Sequence, residues 1–217
     1  MFDAQKHWED HRGENFDIGM KLMKLVPSLQ AFDQTHDLGD VIFDCGAGVF
    51  SISTYLKRHD RKRVAIDLYE LRSNDEVLSV KLDLENLLSP PTREVKQVCA
   101  KIRQFTGRTE TIEQADTLIF SEVLNYIDFE RVLKTAKKYL RPGGYIVIIN
   151  MAGRGDEDAF SEKKPENNAH LKSVVESLFT IKEEVFYSQT QGESGLVMTI
   201  ASNTNNPACF DCAPLNR

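Results

Sequence analysis

Apolar positions along this chain follow two periods in turn. Ile18, Leu22, Leu25, Val26, Leu29 and Phe32 recur at helical spacing, so residues 3–34 predict one or two helices, bent or divided at Pro27. Val41–Cys45 is a short apolar run ending in an acid beside a cysteine, the pattern of a buried strand. Ser51–His59 predicts a helix ending in cations, which suits its C-terminal dipole. Arg63–Asp67 and Val77–Asp83 predict the second and third strands. Ser89-Pro-Pro opens a helix with an apolar face of Val95, Val98, Cys99 and Ile102. Thr117–Phe120 is a fourth strand, and Phe129–Leu140 a helix closed by Arg-Pro-Gly-Gly at 141–144. Tyr145–Asn150 is nearly all apolar and predicts a fifth strand buried on both faces. Residues 153–168 read as a polar loop and His170–Phe179 as a helix. Phe179–Ser188 and Leu196–Ser202 are the last strands, joined by a turn at Gln191–Gly195.

Strands alternating with helices imply an α/β fold with a doubly wound, mainly parallel sheet and helices on both faces. Three parts are expected: an N-terminal helical lid over residues 1–36, a ligand-binding domain over 37–203, and a polar tail over 204–217. The 217 residues suffice for one domain with a sizeable core. A net charge of −6 argues against a general phosphate-backbone binder. No apolar run is long enough to span a bilayer, and the N-terminus has no apolar signal core, so a soluble, cytoplasmic protein is expected. Of the four cysteines, Cys45, Cys99, Cys209 and Cys212, Cys45 falls in the expected turn and Cys99 on an expected helix face, so neither of these two is expected in a disulfide framework.

The segment Val41-Ile-Phe-Asp-Cys-Gly-Ala-Gly-Val-Phe-Ser51 carries the chemistry. A strand, a turn without side-chain bulk and a helix start let a ligand approach the backbone closely. The Asp-x-Gly-x-Gly pattern at this junction resembles motif I of the class I S-adenosylmethionine (SAM)-dependent methyltransferases. The resemblance covers roughly residues 38–202 and includes the Arg-Pro-Gly-Gly-Tyr before a buried strand. It implies a Rossmann-like sheet of seven strands whose last strand is antiparallel, and SAM as cofactor. A dinucleotide-binding dehydrogenase would require a third glycine where this chain has Ser51.

What the resemblance implies for single residues follows the strand ends. Gly46, Ala47 and Gly48 would give backbone room to the methionine end of SAM. Asp44 would steady the loop or reach the ammonium through water. Asp67 would accept the ribose hydroxyls, with Glu70 as a rival and a helix cap as the plain alternative. Asp83 would face the adenine amino group, with Leu68, Leu82 and Leu84 as apolar neighbours; a loop acid is the plain alternative. Ser121 and Glu122 would meet the methionine carboxylate or the acceptor. Tyr126 could set a ring face near the sulfonium, or simply pack. Asn150 and Tyr187 are further pocket candidates.

Other features carry less. His7 and His11 lack the motif of a metalloprotease, and Cys209-x-x-Cys212 lacks a second ligand pair, so no metal is expected. The basic run Lys57–Arg63 reads as a solvated helix end. Trp8 and Phe16 suit either a lid or simple packing. His170 and Glu122 are the nearest approaches to a general base. The expected activity is methyl transfer to a small molecule in specialised metabolism. Two alternatives stay open: cyclisation of SAM to azetidine-2-carboxylate and methylthioadenosine, as in the synthases that share this fold, and SAM binding without catalysis. Expected partners are a small-molecule acceptor, or SAM alone, with neither nucleic acid nor membrane; a homodimer is left open.

Overall fold

A computed structural model of the chain describes residues 20, 22–48, 51–68, 73–84, 93–107, 115–151, 161–187 and 195–204. The aromatic residues Trp8 and Phe16, the histidines 7 and 11, Glu70, the Ser89-Pro-Pro91 helix start, residues 153–160 of the 153–168 loop, the 191–195 turn except Gly195, Cys209, Cys212 and nearly all of the tail lie outside these residues.

Seven strands form one sheet: β1 Val41–Cys45, β2 Lys62–Asp67, β3 Val77–Lys81, β4 Ala115–Ser121, β5 Leu140–Asn150, β6 Thr180–Tyr187 and β7 Leu196–Ser202. Their order is β3-β2-β1-β4-β5-β7-β6. The pairs from β3 to β5 are parallel, and β7 runs antiparallel to both β5 and β6. β7 is therefore the one reversed strand, as the resemblance implies. β1 is buried along its whole length because helices cover both of its faces.

Among the described residues four helices flank the sheet: α1 Val26–His36, α2 Arg93–Thr106, α3 Phe129–Tyr139 and α4 Asn168–Leu178. Pro27 stands in the first turn of α1, where its missing N–H costs nothing, so it starts the helix and does not bend it. α3 buries Phe129, Val132, Leu133 and Ala136, one stripe at helical spacing. Asp128 caps that helix by accepting from the Arg131 amide at 3.3 Å. Asn167 caps α4 in the same way through the His170 amide at 2.9 Å.

The core has two halves, one on each face. On one face α2, α3 and α4 cover Phe43, Cys45, Val64, Ile66, Leu118, Phe120, Ile146 and Ile148. On the other, α1 covers Ile42, Ile119, Val147, Ile149, Met198 and Ile200. Successive strand residues alternate between these halves.

Two expectations need correction. The helix over Ser51–His59 is only a 3-10 turn at Ile52–Tyr55. The Ser51 hydroxyl and the Ser53 amide bond to Asp44, and the Leu56 carbonyl accepts from Arg61, so these groups compete with helix formation. Asp60, at φ 64°, then turns the chain into β2. The second correction is at 141–144. Leu140 already has strand dihedrals, and β5 begins there with no glycine cap on α3. Gly144 is required for a different reason: a Cβ would lie 2.7 Å from the Asp116 carbonyl of the neighbouring strand.

The short β1–β2 connection is fastened by Arg61. Its side chain is buried and forms a bidentate pair with Asp33 of α1, at 2.7 and 2.9 Å. Its Nε donates to the Gly39 carbonyl at 2.7 Å. Helix α1 is thereby tied to the amino end of β1 and β2, the end of the sheet opposite the glycine loop.

Candidate functional site

β1 sits at the point where the strand order reverses, with β2 on one side and β4 on the other. Crevices for ligands form outside the carboxyl ends of strands at such points. The residues singled out from the sequence gather at this end of the sheet.

Gly46 and Gly48 both have positive φ, 74° and 53°. The two glycines serve different needs. A Cβ on Gly46 would lie 2.5 Å from a methyl of Val123, so its bare backbone lets the segment after β4 close against the loop. A Cβ on Gly48 would meet no atom of the described residues within 4 Å. The Gly46 and Ala47 amides donate to the Ile66 carbonyl at 2.8 and 3.3 Å, and the Gly48 amide donates to Asp67 Oδ2 at 2.8 Å. The acid at the end of β2 thus holds the glycine loop. The Asp67 carbonyl also accepts from the Leu82 amide at 2.7 Å, which brings the residues following β3 to the same place.

Asp44 is fully buried, and its Oδ2 accepts from the Ser51 hydroxyl and, at 3.3 Å, from the Ser53 amide. Burial raises its carboxyl above the ordinary range; the serine bonds oppose that shift in part. Among the described residues its Oδ1 is buried with no hydrogen-bond partner, and so are Ser121 Oγ and Asn150 Oδ1. Asp44 and Ser121 stand at the ends of the adjacent strands β1 and β4 on the face of Ile42 and Ile119, whereas Asn150 follows the face of Ile146 and Ile148. A ligand that brings N–H donors would satisfy Asp44 and Ser121, and SAM carries an ammonium. The residues present therefore fit that group.

Glu122 directly follows β4 and is buried. Its φ of 54° is costly for a residue with a Cβ, and its amide donates to the Ile149 carbonyl at 2.7 Å, which holds the bend. Asn125 and Tyr126 follow in a 3-10 turn at Leu124–Tyr126. Tyr126 is half-buried. Asn150, at the end of β5, donates from Nδ2 to Asn125 Oδ1 at 3.2 Å. Asn125 was not among the residues singled out. Its signal was a polar side chain inside the otherwise apolar run Val123–Ile127.

Some candidates lie apart. Tyr187 ends β6, beyond β7, and packs against the core half under α1, whereas Asn150 turns toward the segment after β4. β3 ends at Lys81, so Asp83 lies past the strand. Leu82 and Leu84 belong to the core. Leu84, Cys45, Ile66, Phe120 and Cys99 line an entirely apolar cavity of about 40 Å³. Leu68 is half-buried beside Asp67. His170 accepts from the Glu166 amide, sets its ring edge to Phe129 and approaches Glu130 at 3.6 Å. Neither Cys45 nor Cys99 is in a disulfide, and burial pushes the Cys45 thiol up.

A seven-stranded sheet of this order, with a glycine loop after β1 held by the acid ending β2, defines the architecture of the class I SAM-dependent methyltransferases. The family model described as "Methyltransferase domain" matches residues 43–148, from β1 into β5. By that match and by the fold, these residues form a class I SAM-dependent methyltransferase domain, and SAM is the cofactor of that superfamily. No curated protein matches the chain. Among solved structures it is similar to 1,6-didemethyltoxoflavin-N1-methyltransferase of Burkholderia thailandensis, solved with 1,6-didemethyltoxoflavin and S-adenosylhomocysteine (SAH) bound. Identity is 15 %, 93 % of this chain and 85 % of that chain are covered, and the TM-score is 0.64. It is also similar to the N-methyltransferase NodS of Bradyrhizobium japonicum, at 14 % identity, 84 % and 87 % coverage and a TM-score of 0.57. Likeness at this identity concerns the fold. Among the described residues no helix is long and apolar enough to cross a membrane.

Proposed function

We propose that this protein transfers a methyl group from SAM to a small-molecule acceptor, in a biosynthetic reaction of specialised metabolism. The observation that carries the reading is the Gly48–Asp67 hydrogen bond at the switch point of the sheet. A backbone open to close approach, joined directly to a carboxylate, supports a single ligand shared by both.

When bound, SAM supplies a methyl carbon on a sulfonium leaving group. The Gly46–Gly48 backbone would take the methionine end, and Asp44 would set its buried free oxygen toward the donors there. Asp67 would accept the ribose hydroxyls. Asp83 would accept from the adenine amino group, and Leu68 and Leu84 would offer apolar walls. On the acceptor side, Ser121, Glu122 and Asn150 supply hydrogen-bonding groups. Tyr126 would offer a ring face worth roughly 0.5–2 kcal/mol toward a cation. Holding the acceptor in line accounts for much of the rate, because the leaving group is already good. The similarity to two N-methyltransferases, one solved with 1,6-didemethyltoxoflavin bound, supports a small acceptor.

Incubation with SAM and a panel of small amines and phenols, followed by mass analysis, tests this reading. Acceptor-dependent SAH supports it. A second reading, azetidine-2-carboxylate formation, predicts methylthioadenosine from SAM alone: the α-amine bonds to the γ-carbon, the carbon–sulfur bond breaks, and the amine proton passes to solvent. The buried free oxygen of Asn150 suits an amine in either reaction.

A further inference from the structure

Helices α2 and α3 lie on one face of the sheet and share an apolar cavity of about 40 Å³. Its floor includes Phe43 and Leu118, inside β1 and β4, and its walls include Ile102 of α2 with Val132 and Ala136 of α3. The cavity therefore lies within the sheet–helix layer and not in the crevice outside the strand ends. Wholly apolar walls offer water no partners, so such a cavity stays dry and takes apolar groups. Cys99 and Tyr139 also line it and are only half-buried, so it reaches the surface between the two helices.

The surface around that opening is cationic. Lys96 and Arg103 stand three residues before and four residues after Cys99, so they flank it on the same side of α2. On α3, Thr135 lies one turn from Val132 and Tyr139 of the cavity wall, and one turn from Arg131 and Lys138. Lys96, Arg103, Arg131 and Lys138 are all exposed. Within each helix the two cations are about 10 Å apart along the axis, so two stripes of equal length border one slot. Lys96, Arg103 and Lys138 make no ion pair among the described residues. Arg131 lies near Asp128, but that carboxylate is taken by Lys163 at 2.7 Å. Glu130 is held by Lys134 at 3.4 Å. In a chain of net charge −6 this is a local excess of the opposite sign.

We infer that the slot between α2 and α3 binds a small amphiphilic anion, with a short apolar chain in the cavity and a carboxylate or sulfate between the two cationic stripes. The inference goes beyond methyl transfer and depends on the fold alone. The walls select the tail, and the rims select the sign of the head. A neutral alcohol or an alkylammonium of the same length fits only half of the site.

The test titrates octanoate, below its micelle concentration, into the full-length 13C-labelled chain with and without SAH. Calorimetry and methyl signals are the readouts. Octanoate should shift the Ile102, Val132 and Ala136 methyls and bind equally well in both samples. From butanoate to octanoate each added methylene should tighten binding roughly threefold until the cavity is full. At low salt octanoate should bind roughly tenfold more tightly than 1-octanol or octylammonium, and the margin should shrink at high salt. Arg103→Gln and Lys138→Gln should each weaken it roughly two- to fivefold. Lys101→Gln, on the far side of α2 from Cys99, should change nothing. Ala136→Met fills the cavity and should weaken octanoate roughly tenfold; if it unfolds the chain, Cys99→Leu at the opening should do the same. Unmoved cavity methyls, or equal binding of the carboxylate, the alcohol and the ammonium, would overturn the inference. Displacement of octanoate by SAH would also overturn it, because the ligand would then sit in the cofactor crevice. Failure of SAH to bind would remove the methyltransferase reading and leave the octanoate result standing.

Discussion

The backbone amide of Gly48 donates to Oδ2 of Asp67 at 2.8 Å, joining the loop after β1 to the end of β2. One carboxylate both shapes the loop and lies where the ribose of SAM would be held. Removing it should cost twice over. Asp67→Ala should weaken SAH binding by about 1–3 kcal/mol, roughly 5- to 150-fold, measured by calorimetry. Asp67→Asn can still accept from Gly48 and should fall between. Unchanged affinity in both variants would contradict the assignment.

The two loop glycines should respond differently to the same substitution. Gly46→Ala places a Cβ against Val123 at a positive φ, so thermal stability should fall by several degrees. Gly48→Ala meets no protein atom and should cost only about 1 kcal/mol of backbone strain, while Gly48→Val should greatly weaken SAH binding. Calorimetric unfolding beside SAH titration separates the two effects.

Asp44 gives a pH dependence of defined sign. Burial raises its carboxyl above 3.8, so the folded state holds this proton more tightly than the unfolded chain does. The stabilisation from the protonated form is complete below 3.8 and is lost as pH rises through the folded value. Asp44→Asn keeps a neutral group that can still accept from Ser51 and Ser53. The variant should be more stable than the wild type at neutral pH, show a shallower decline of stability above 3.8, and bind SAH less well. Denaturant unfolding across the pH range checks this.

The buried pair of Arg61 and Asp33 should be unforgiving. Arg61→Met leaves the Asp33 carboxylate without its bidentate partner and removes the donor to the Gly39 carbonyl. The expected loss is about 3–5 kcal/mol of folding stability, read from chemical denaturation.

The strand–glycine–acid constellation was legible in the sequence because each part has a local cause. An apolar run makes β1, glycines permit the positive φ of the loop, and the β2 run ends at Asp67. The mainly parallel, doubly wound sheet followed from the alternation of strands and helices, whereas the count of seven with a reversed last strand came from the family resemblance. The segment Ser51–His59 was not legible. Ile52 and Leu56 stand at helical spacing, yet both are buried from a 3-10 turn because serine side chains and a distant arginine capture the local polar groups. Asn125 escaped because its role depends on Asn150 and Met151, 25 and 26 residues away, which no local pattern displays. Tyr187 stood at a strand end like Asn150, but strand position in the sheet, set by β7 lying between β5 and β6, carried it elsewhere.

The central claim is methyl transfer from SAM at the crevice around Gly48, Asp67 and Asn150. Mass analysis of SAM turnover, with and without N–H- and O–H-bearing small molecules, tests it most directly. The account predicts SAH and a methylated product that form together, only with an acceptor, and that decline in Asp67→Ala. Methylthioadenosine released from SAM alone, with no methylated product from any acceptor, would contradict it.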